Sequence, residues 1–597
     1  MSENRAVLSG NEAIARGAYE SGVKVAAGYP GTPSTEILEN LQTYPGMHAE
    51  WSPNEKVALE TGMGAAFGGA RALVVMKHVG VNVAADPLFT LSYTGLRGGL
   101  VLVTADDPEM HSSQNEQDNR NYAKFAKVPM LEPSDSQEAK DFTEWGFALS
   151  EKFDTPVMLR TTTRVAHSKS IVFTKDPAEP LPPPKLSKEP AKFVMLPGNA
   201  RKRHPVVEKR LADLSRFAET FAGNRIEWGD NKIGIITSGI SYQYAKEAMP
   251  EASFLKLGLV FPLPKELIQS FASRVDKIFV VEELDPFIEE QVKAMGIGVV
   301  GKDAFPICGE LTPGLVAKGL KGVPLPSMEE VSKNLPPRPP TLCPGCPHRG
   351  IFSILSKLKL FVTGDIGCYT LGFLPPLSAL DTCVCMGASI GHAMGLDKAL
   401  GEEALGKVVA VIGDSTFLHS GITGLLNVVY NRGAVTVIIL DNRTTAMTGR
   451  QDHPGTGFTL QGEEASQVDL VKLAKALGVK HVKVVNPYEL AMTERVIKRE
   501  IRRPEPSVII ARAPCVLSRR EKGVRGKAFA VDLESCTGCR ACLRLGCPAL
   551  MWVKEEGVTA AGKKRKGRAF IDRFLCNGCT LCEQVCQWGA IKEGHEK

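Results

Sequence analysis

The chain has 597 residues, well beyond the roughly 250–300 at which one hydrophobic core stops growing, so a single compact unit is excluded and about three to five domains are expected. With 43% hydrophobic and 23% charged residues, it reads as an ordinary globular chain, and no run approaches the roughly 18–20 apolar residues of a membrane span. Its 72 basic residues are nearly matched by 66 acidic ones, for a net charge of +6. The charges are spread along the chain, so neither nucleic acid nor a membrane is expected as a partner.

The opening MSENRAVLSGNEAIARGAYE lacks the basic-then-apolar pattern of a secretory signal and reads as the start of a helix, so a cytoplasmic location is expected. Within residues 1–175, RALVVMKH and GGLVLVTADDP read as buried parallel strands and residues 136–150 as an amphipathic helix. Two proline-rich stretches, Asp176–Pro205 and Val323–Pro340, read as linkers. Between them KIGIITSG, FLKLG and KIFVVEELDP alternate with helical patterns, which implies a smaller α/β domain. From residue 341 the strand candidates FVTGDIG, KVVAVIGDS, VTVIILDN, HVKVV and SVIIARAP follow at helix-length intervals, the rhythm of a doubly wound sheet. Beyond Arg525 the chain breaks into short cysteine-rich pieces that cannot bury much core. The expected domains are 1–190, 191–335, 336–525 and 526–597.

Of 15 cysteines, eight fall between Cys536 and Cys586. In a long chain without a secretion signal, such crowding points to metal thiolates rather than disulfides. CTGCRACLRLGCP supplies Cys536, Cys539, Cys542 and Cys547, and CNGCTLCEQVCQ supplies Cys576, Cys579, Cys582 and Cys586. Two-residue gaps let three thiolates converge on one face of a cubane, and in two-cluster ferredoxins the fourth cysteine of each run serves the other cluster. One [4Fe–4S] is therefore assigned to Cys536, Cys539, Cys542 and Cys586, the other to Cys547, Cys576, Cys579 and Cys582. An extra residue precedes Cys547, and Gln587 stands where proline usually follows the last cysteine; neither removes a ligand. Paired zinc knuckles would leave the third cysteine of each run unexplained. Two basic runs, Arg201–His204 and Lys563–Arg568, read as solvated loops, although the second could steer an acidic electron carrier.

KVVAVIGDS ends in Gly413, Asp414 and Ser415, and VTVIILDN ends in Asp441 and Asn442; Asp414 and Asn442 are 28 positions apart, the span of a βαβ crossover. The pair resembles the GD(G/S)…NN motif of thiamine-diphosphate enzymes. Carried over, Asp414, Asn442 and the carbonyl of Thr444 would hold the Mg²⁺ that clamps the diphosphate, a set of hard oxygen ligands that suits this ion. Ser415 stands where glycine is usual and Asp441 where the first asparagine is usual.

GYPGTPSTE (Gly28–Glu36) and NEKVALETGMGAAFGGARA (Asn54–Ala72) resemble the pyrimidine-binding domain of the 2-oxoacid:ferredoxin oxidoreductases. The resemblance implies that Glu55 contacts N1′ of the aminopyrimidine, so that the 4′-imino group becomes an internal base. It also implies that Thr32 and the loop His111–Arg120 face substrate. The arginine that pyruvate-type relatives use for the substrate carboxylate has no match at Thr104–Asp107. CPGCPHRG contributes Cys343, Cys346 and His348, a further candidate catalytic residue, while GDIGC and ARAPC contribute Cys368 and Cys515. Relatives use a similar arrangement for a cluster beside the thiazolium, which implies a third [4Fe–4S] here; free thiols or a pocket wall are the alternatives. Cys308, Cys383 and Cys385 read as small apolar structural residues.

The order of motifs, together with EELDPFIE and DHPGTG, resembles the alpha subunit of the indolepyruvate type within this family. The fold implied is multidomain α/β: two thiamine-diphosphate-binding doubly wound domains, a smaller α/β domain and a 2[4Fe–4S] ferredoxin-like tail. The activity implied is oxidative decarboxylation of aryl 2-oxoacids with coenzyme A to aryl-acetyl-CoA and CO2, with electrons passing to ferredoxin. A smaller beta subunit in an (αβ)2 assembly is implied as well. The same chemistry on another 2-oxoacid, a non-oxidative thiamine-dependent decarboxylase and an electron-transfer subunit without catalysis remain the rival readings.

Overall fold

A computed structural model describes residues 4–177, 187–324, 335–336, 338–521, 523–559, 562 and 564–594. The chain divides into two compact units, Met1–Leu335 and Pro336–Lys597.

The first unit holds a seven-stranded sheet in the order Leu259–Phe261, Met130–Leu131, Val157–Thr162, Leu100–Asp106, Ala72–Lys77, Val25–Gly28, His48–Trp51. All neighbours are parallel except Leu259–Phe261, which runs antiparallel to Met130–Leu131 at the edge. Leu100–Asp106 and Val157–Thr162 are buried at every position, as central strands covered on both faces must be. Helices Gly10–Glu20 and Ser136–Phe153 pack together beside the sheet. A second sheet runs Lys277–Val281, Asp230–Ser238, Ala252–Leu257, Arg225–Glu227, with only the last strand antiparallel.

A buried ionic network ties these segments together. Arg160 donates to Asp106 at 2.7 Å and to Glu132. Arg120 donates to Asp118 at 2.5 Å and to Glu282 at 2.6 Å. Glu282 also accepts the amides of Ile288 and Glu289 at the start of helix Phe287–Ala294, so EELDPFIE is a capped helix entry. Burial pushes the Glu283 carboxyl up to about 7.

The second unit holds a five-stranded parallel sheet in the order Phe361–Thr363, Val408–Gly413, Thr436–Asp441, Ser507–Arg512, His481–Val485. Its strands are those read from the sequence. In the tail, Phe529–Val531 pairs with Ile591–Glu593 and Leu550–Val553 with Arg568–Ile571, both antiparallel. Only a few apolar side chains are buried there, among them Phe529, Ala569, Ile571 and Ile591. No helix of the described residues is long and apolar enough to cross a membrane.

Several expectations are corrected. Asn4–Ser9 is a strand, paired antiparallel with Lys169–Thr174, and the first helix starts only at Gly10; Ser9 caps it in a capping box with Glu12. The first proline-rich stretch is not a linker throughout, because Pro197–Ala218 is a helix with proline in its first turn. Its basic run is anchored: Arg203 donates to the carbonyl of Tyr93 and, at 3.0 Å, to Asp154. The second basic run is likewise not a loop, since Lys564–Arg565 pairs with Gly557–Val558; Lys563 lies outside the described residues, as does most of the second proline-rich stretch. Cys308, Cys383 and Cys385 are exposed, not core. Arg120 and Asp118 are consumed by the ionic network, so that end of the His111–Arg120 loop does not face substrate.

Candidate active site and cysteine cavities

In the first unit, the parallel strands deliver Thr32, Lys77 and Asp107 to the carboxyl edge of the sheet, where open α/β sheets bind ligands. Glu55 is the first residue of helix Glu55–Phe67, capped by the Asn54 side chain on the Val57 amide; a carboxylate there is favoured by the helix dipole. It is buried, at 5% exposure, against Gly80, where a Cβ would come within 2.7 Å of Glu55 Cγ. Lys77 donates to the carbonyl of Ser112 at 2.9 Å, and Ser112 Oγ donates to the carbonyl of Thr32 at 3.2 Å. Burial pushes the Lys77 ammonium down to about 8, against the pull of Asp107 and Glu55. Asp107 itself accepts from Ser112, Ser113 and Thr163. The structure thus gathers Thr32, Glu55 and Lys77 in one region, and Lys77 is the member that sequence reasoning missed.

In the second unit, strands Val408–Gly413 and Thr436–Asp441 are neighbours in register, with Gly413 opposite Leu440, which brings Asp414 level with Asp441, the residue before Asn442, at the carboxyl edge of the sheet. Gly413 is required by contact, since a Cβ would meet the Tyr369 ring at 2.6 Å. Asp414 is buried and accepts from the amides of Ser415 at 2.9 Å and Arg443 at 2.8 Å. Thr444 donates its amide to Asn442 Oδ1 at 3.3 Å, and Ser415 Oγ accepts from Thr445 at 2.9 Å.

Among the described residues, the ionisable partner of Asp414 is His453, whose Nε2 stands 3.4 Å from Oδ2. His453 Nδ1 accepts from the Gly455 amide at 3.1 Å, which leaves its proton on Nε2. This histidine belongs to DHPGTG, a motif noted in the sequence without a role. A buried carboxylate whose partners are amides and an imidazole, beside an amide oxygen, fits a divalent cation.

His348 opens helix His348–Leu358 and its Nε2 lies 3.4 Å from Asn442 Nδ2. Burial lowers its pKa to about 4, with Asp414 opposing, so the imidazole is neutral. Cys515 donates its amide to the Asn442 carbonyl at 2.9 Å. The charges of Cys343 and Cys515 act on both Cys346 and Cys368, and burial pushes both thiols up, that of Cys368 to about 11. Cys343, Cys346, Cys368 and Cys515 thus lie within electrostatic reach of one another, with Cys515 next to Asn442.

Two pockets are lined by the tail cysteines. Cys536, Cys539, Cys542 and Cys586 line one; Cys547, Cys576, Cys579 and Cys582, together with Gly345 and Arg349, line the other. No three His, Cys, Asp or Glu side chains of the described residues stand close enough to share one ion, so the sulfurs surround spaces rather than converge on points. Amides of Ala590 and Phe529 donate to Cys586 and Cys576 sulfurs at 3.3 and 3.5 Å. The first cavity is lined by Thr537 and Trp552, whose buried Oγ1 and Nε1 have no hydrogen-bond partner. Apolar walls, thiols in fours and orphaned donors fit an inorganic sulfide cluster.

Two family models match: the thiamine-diphosphate-binding domain of pyruvate flavodoxin/ferredoxin oxidoreductases over residues 16–212, and the C-terminal domain of thiamine pyrophosphate enzymes over residues 365–511. An indolepyruvate oxidoreductase subunit IorA from Archaeoglobus fulgidus is 43% identical over 98% of this chain and 97% of its own length. The chain belongs to the IorA family of thiamine-dependent 2-oxoacid oxidoreductases. The IorA protein of Pyrococcus horikoshii is 42% identical over 99% of this chain and 97% of its own length. A 2-oxoglutarate synthase subunit KorA from Methanothermobacter marburgensis is 29% identical over 29% of this chain and 48% of its own. A solved 2-oxoglutarate:ferredoxin oxidoreductase from Magnetococcus marinus aligns with a TM-score of 0.45 and 17% identity over 54% of this chain and 65% of that one. Membership in the IorA family accounts for the thiamine-binding segments at both ends of the α/β portion.

Proposed function

We propose that the chain is the thiamine-diphosphate subunit of an enzyme that oxidatively decarboxylates aryl 2-oxoacids with coenzyme A, giving aryl-acetyl-CoA and CO2 and passing electrons singly to ferredoxin. The carrying observation is the three groups of four cysteines on one thiamine-binding chain, because iron–sulfur centres accept one electron at a time and nicotinamide hydride chemistry does not. The indolepyruvate name of the end-to-end relatives supports the aryl substrate, and their designation as subunits supports a smaller beta partner in an (αβ)2 assembly. The domains are taken as pyrimidine-binding (1–190), small α/β (191–335), diphosphate-binding (336–525) and ferredoxin-like (526–597).

In this reading Asp414, Asn442 and the Thr444 carbonyl hold Mg²⁺ against the diphosphate, with Gly413 and Ser415 shaping the turn. Glu55 holds a proton at N1′ of the aminopyrimidine. Bound thiamine diphosphate supplies the nucleophilic carbon and the electron sink for decarboxylation. Thr32 orients substrate, and neutral His348 exchanges a proton beside Asn442. Lys77 takes the substrate carboxylate, since a cation short of water gains most from an anion. The groups Cys536/539/542/586, Cys547/576/579/582 and Cys343/346/368/515 each hold a [4Fe–4S].

Anaerobic viologen reduction by the chain with its partner, comparing indolepyruvate, phenylpyruvate, pyruvate and 2-oxoglutarate with and without coenzyme A, tests the whole. Aryl substrates are expected to dominate and aryl-acetyl-CoA to accumulate. Equal rates on pyruvate overturn the aryl assignment, and product without acyl-CoA points to the non-oxidative decarboxylase. For Lys77→Met, at least a tenfold rise in KM for the 2-oxoacid is expected with unchanged affinity for thiamine diphosphate; an unmoved KM removes Lys77 from the site.

A further inference from the structure

Arg349 completes CPGCPHRG and has no role in the site as built above. It is 2% exposed, and its fork donates to four main-chain and hydroxyl oxygens. Nε donates to the Cys343 carbonyl at 3.2 Å, Nη1 to the Leu545 carbonyl at 2.9 Å, and Nη2 to the Leu342 carbonyl and, at 3.4 Å, to Thr341 Oγ1. These contacts join the turn that carries Cys343 and Cys346 to the turn before Cys547. Arg349 also lines the cavity of Cys547, Cys576, Cys579 and Cys582. A buried cation normally pairs with a carboxylate, yet the negative groups acting on this one are Cys547, Cys346, Cys343 and Cys579.

We propose that Arg349 is an electrostatic bridge between the cluster of Cys343, Cys346, Cys368 and Cys515 and the cluster of Cys547, Cys576, Cys579 and Cys582, holding the midpoint potentials of both up. The inference rests on the reading of these two sets as [4Fe–4S] ligands. Each reduction adds one electron, and so one negative charge, beside a guanidinium held in place by four oxygen contacts; no bond is made and no proton moves. The electron comes from the 2-oxoacid and leaves toward an acidic iron–sulfur carrier. A fixed positive charge at the junction of two stations favours the reduced form of each and keeps their potentials close. Arg349 is a positioning residue, since it touches neither substrate nor thiamine. The third set, Cys536, Cys539, Cys542 and Cys586, lines a cavity without Arg349 and serves as an internal reference.

An anaerobic redox titration of the holoenzyme, followed by paramagnetic resonance and iron analysis, tests this in Arg349→Gln. Both neighbouring potentials are expected to fall by at least a tenfold change in the one-electron equilibrium, about 59 mV, at full iron content, while the third cluster stays where it was. Fully loaded R349Q with unmoved potentials overturns the proposal alone; wild-type enzyme lacking iron at either set overturns the cluster reading and the proposal together. Should R349Q fail to load, Arg349→Lys decides. Potentials within about 59 mV of wild type support a charge effect, and a fall as large as that expected for glutamine overturns it.

Discussion

The first unit and the cysteine-rich tail solve the problem of a polar interior in opposite ways. In the first unit Arg120 and Arg160 meet Asp106, Asp118, Glu132 and Glu282 inside the protein, so these buried charges find their counter-charges within the chain. In the tail eight thiols line two apolar pockets, one of them beside the unpartnered Thr537 Oγ1 and Trp552 Nε1, a lining that fits a group from outside the polypeptide. One region therefore carries its own glue, whereas the other is a mould. Loss of a residue in the first should appear as lost stability, and loss of a residue in the second as lost iron.

The largest effect is expected in the tail. Cys547→Ala should empty the cavity of Cys576, Cys579 and Cys582, leaving the other cluster in place, and Cys586→Ala should do the reverse. Each should lower iron by about four per chain, the nuclearity of one cluster, and abolish viologen reduction. If C547A instead strips iron from the set of Cys536, the crossed ligation is wrong. Next comes Glu55→Gln, which should lower kcat by about 10²–10⁴ with iron content unchanged, as measured by steady-state rates on loaded enzyme.

On the side of the ionic network, Arg160→Met leaves buried carboxylates uncompensated and should cost about 3–5 kcal/mol, read as a drop in denaturant midpoint with the tail clusters intact. A stability loss below 1 kcal/mol would show that the network is a passenger. The smallest effect concerns His78, whose ring nitrogen contacts the Asn115 carbonyl at 3.2 Å and whose pKa burial and Lys77 lower to about 4. Only the unfolded chain binds this proton between pH 4 and about 6.5. Its contribution is thus present above about 6.5 and lost as pH falls toward 4. His78→Gln should flatten that part of the curve of stability against pH, and an unaltered slope would remove His78 as its source.

How much was legible in advance follows the same division. The cysteine runs and the Asp414 and Asn442 pair could be read because one chemical need is met by one residue type at short spacing, on strands whose apolar runs are themselves conspicuous. The ionic network could not, because Arg120 and Glu282 are 162 positions apart and any arginine pairs with any carboxylate on paper. Lys77 and Arg349 were illegible for a related reason: the role proposed for each depends on where the fold takes it, and a lone basic residue at a strand end or in a helix carries no signature. His453 was visible as part of DHPGTG, but its approach to Asp414 depends on a loop closing back onto the sheet edge. The N-terminal strand was mistaken for helix because its partner, Lys169–Thr174, is 160 or more positions away, beyond the reach of local periodicity.

The edge strand Leu259–Phe261 bears on any attempt to cut the protein into pieces. It completes a sheet whose other strands all lie before residue 163, shielding Met130 and Leu131 with backbone borrowed from the far side of a helix-rich insertion. A fragment ending near residue 190 would carry an uncovered, apolar margin ready to recruit the same margin of another molecule. Such a truncation should precipitate, while the first 335 residues together should remain dispersed.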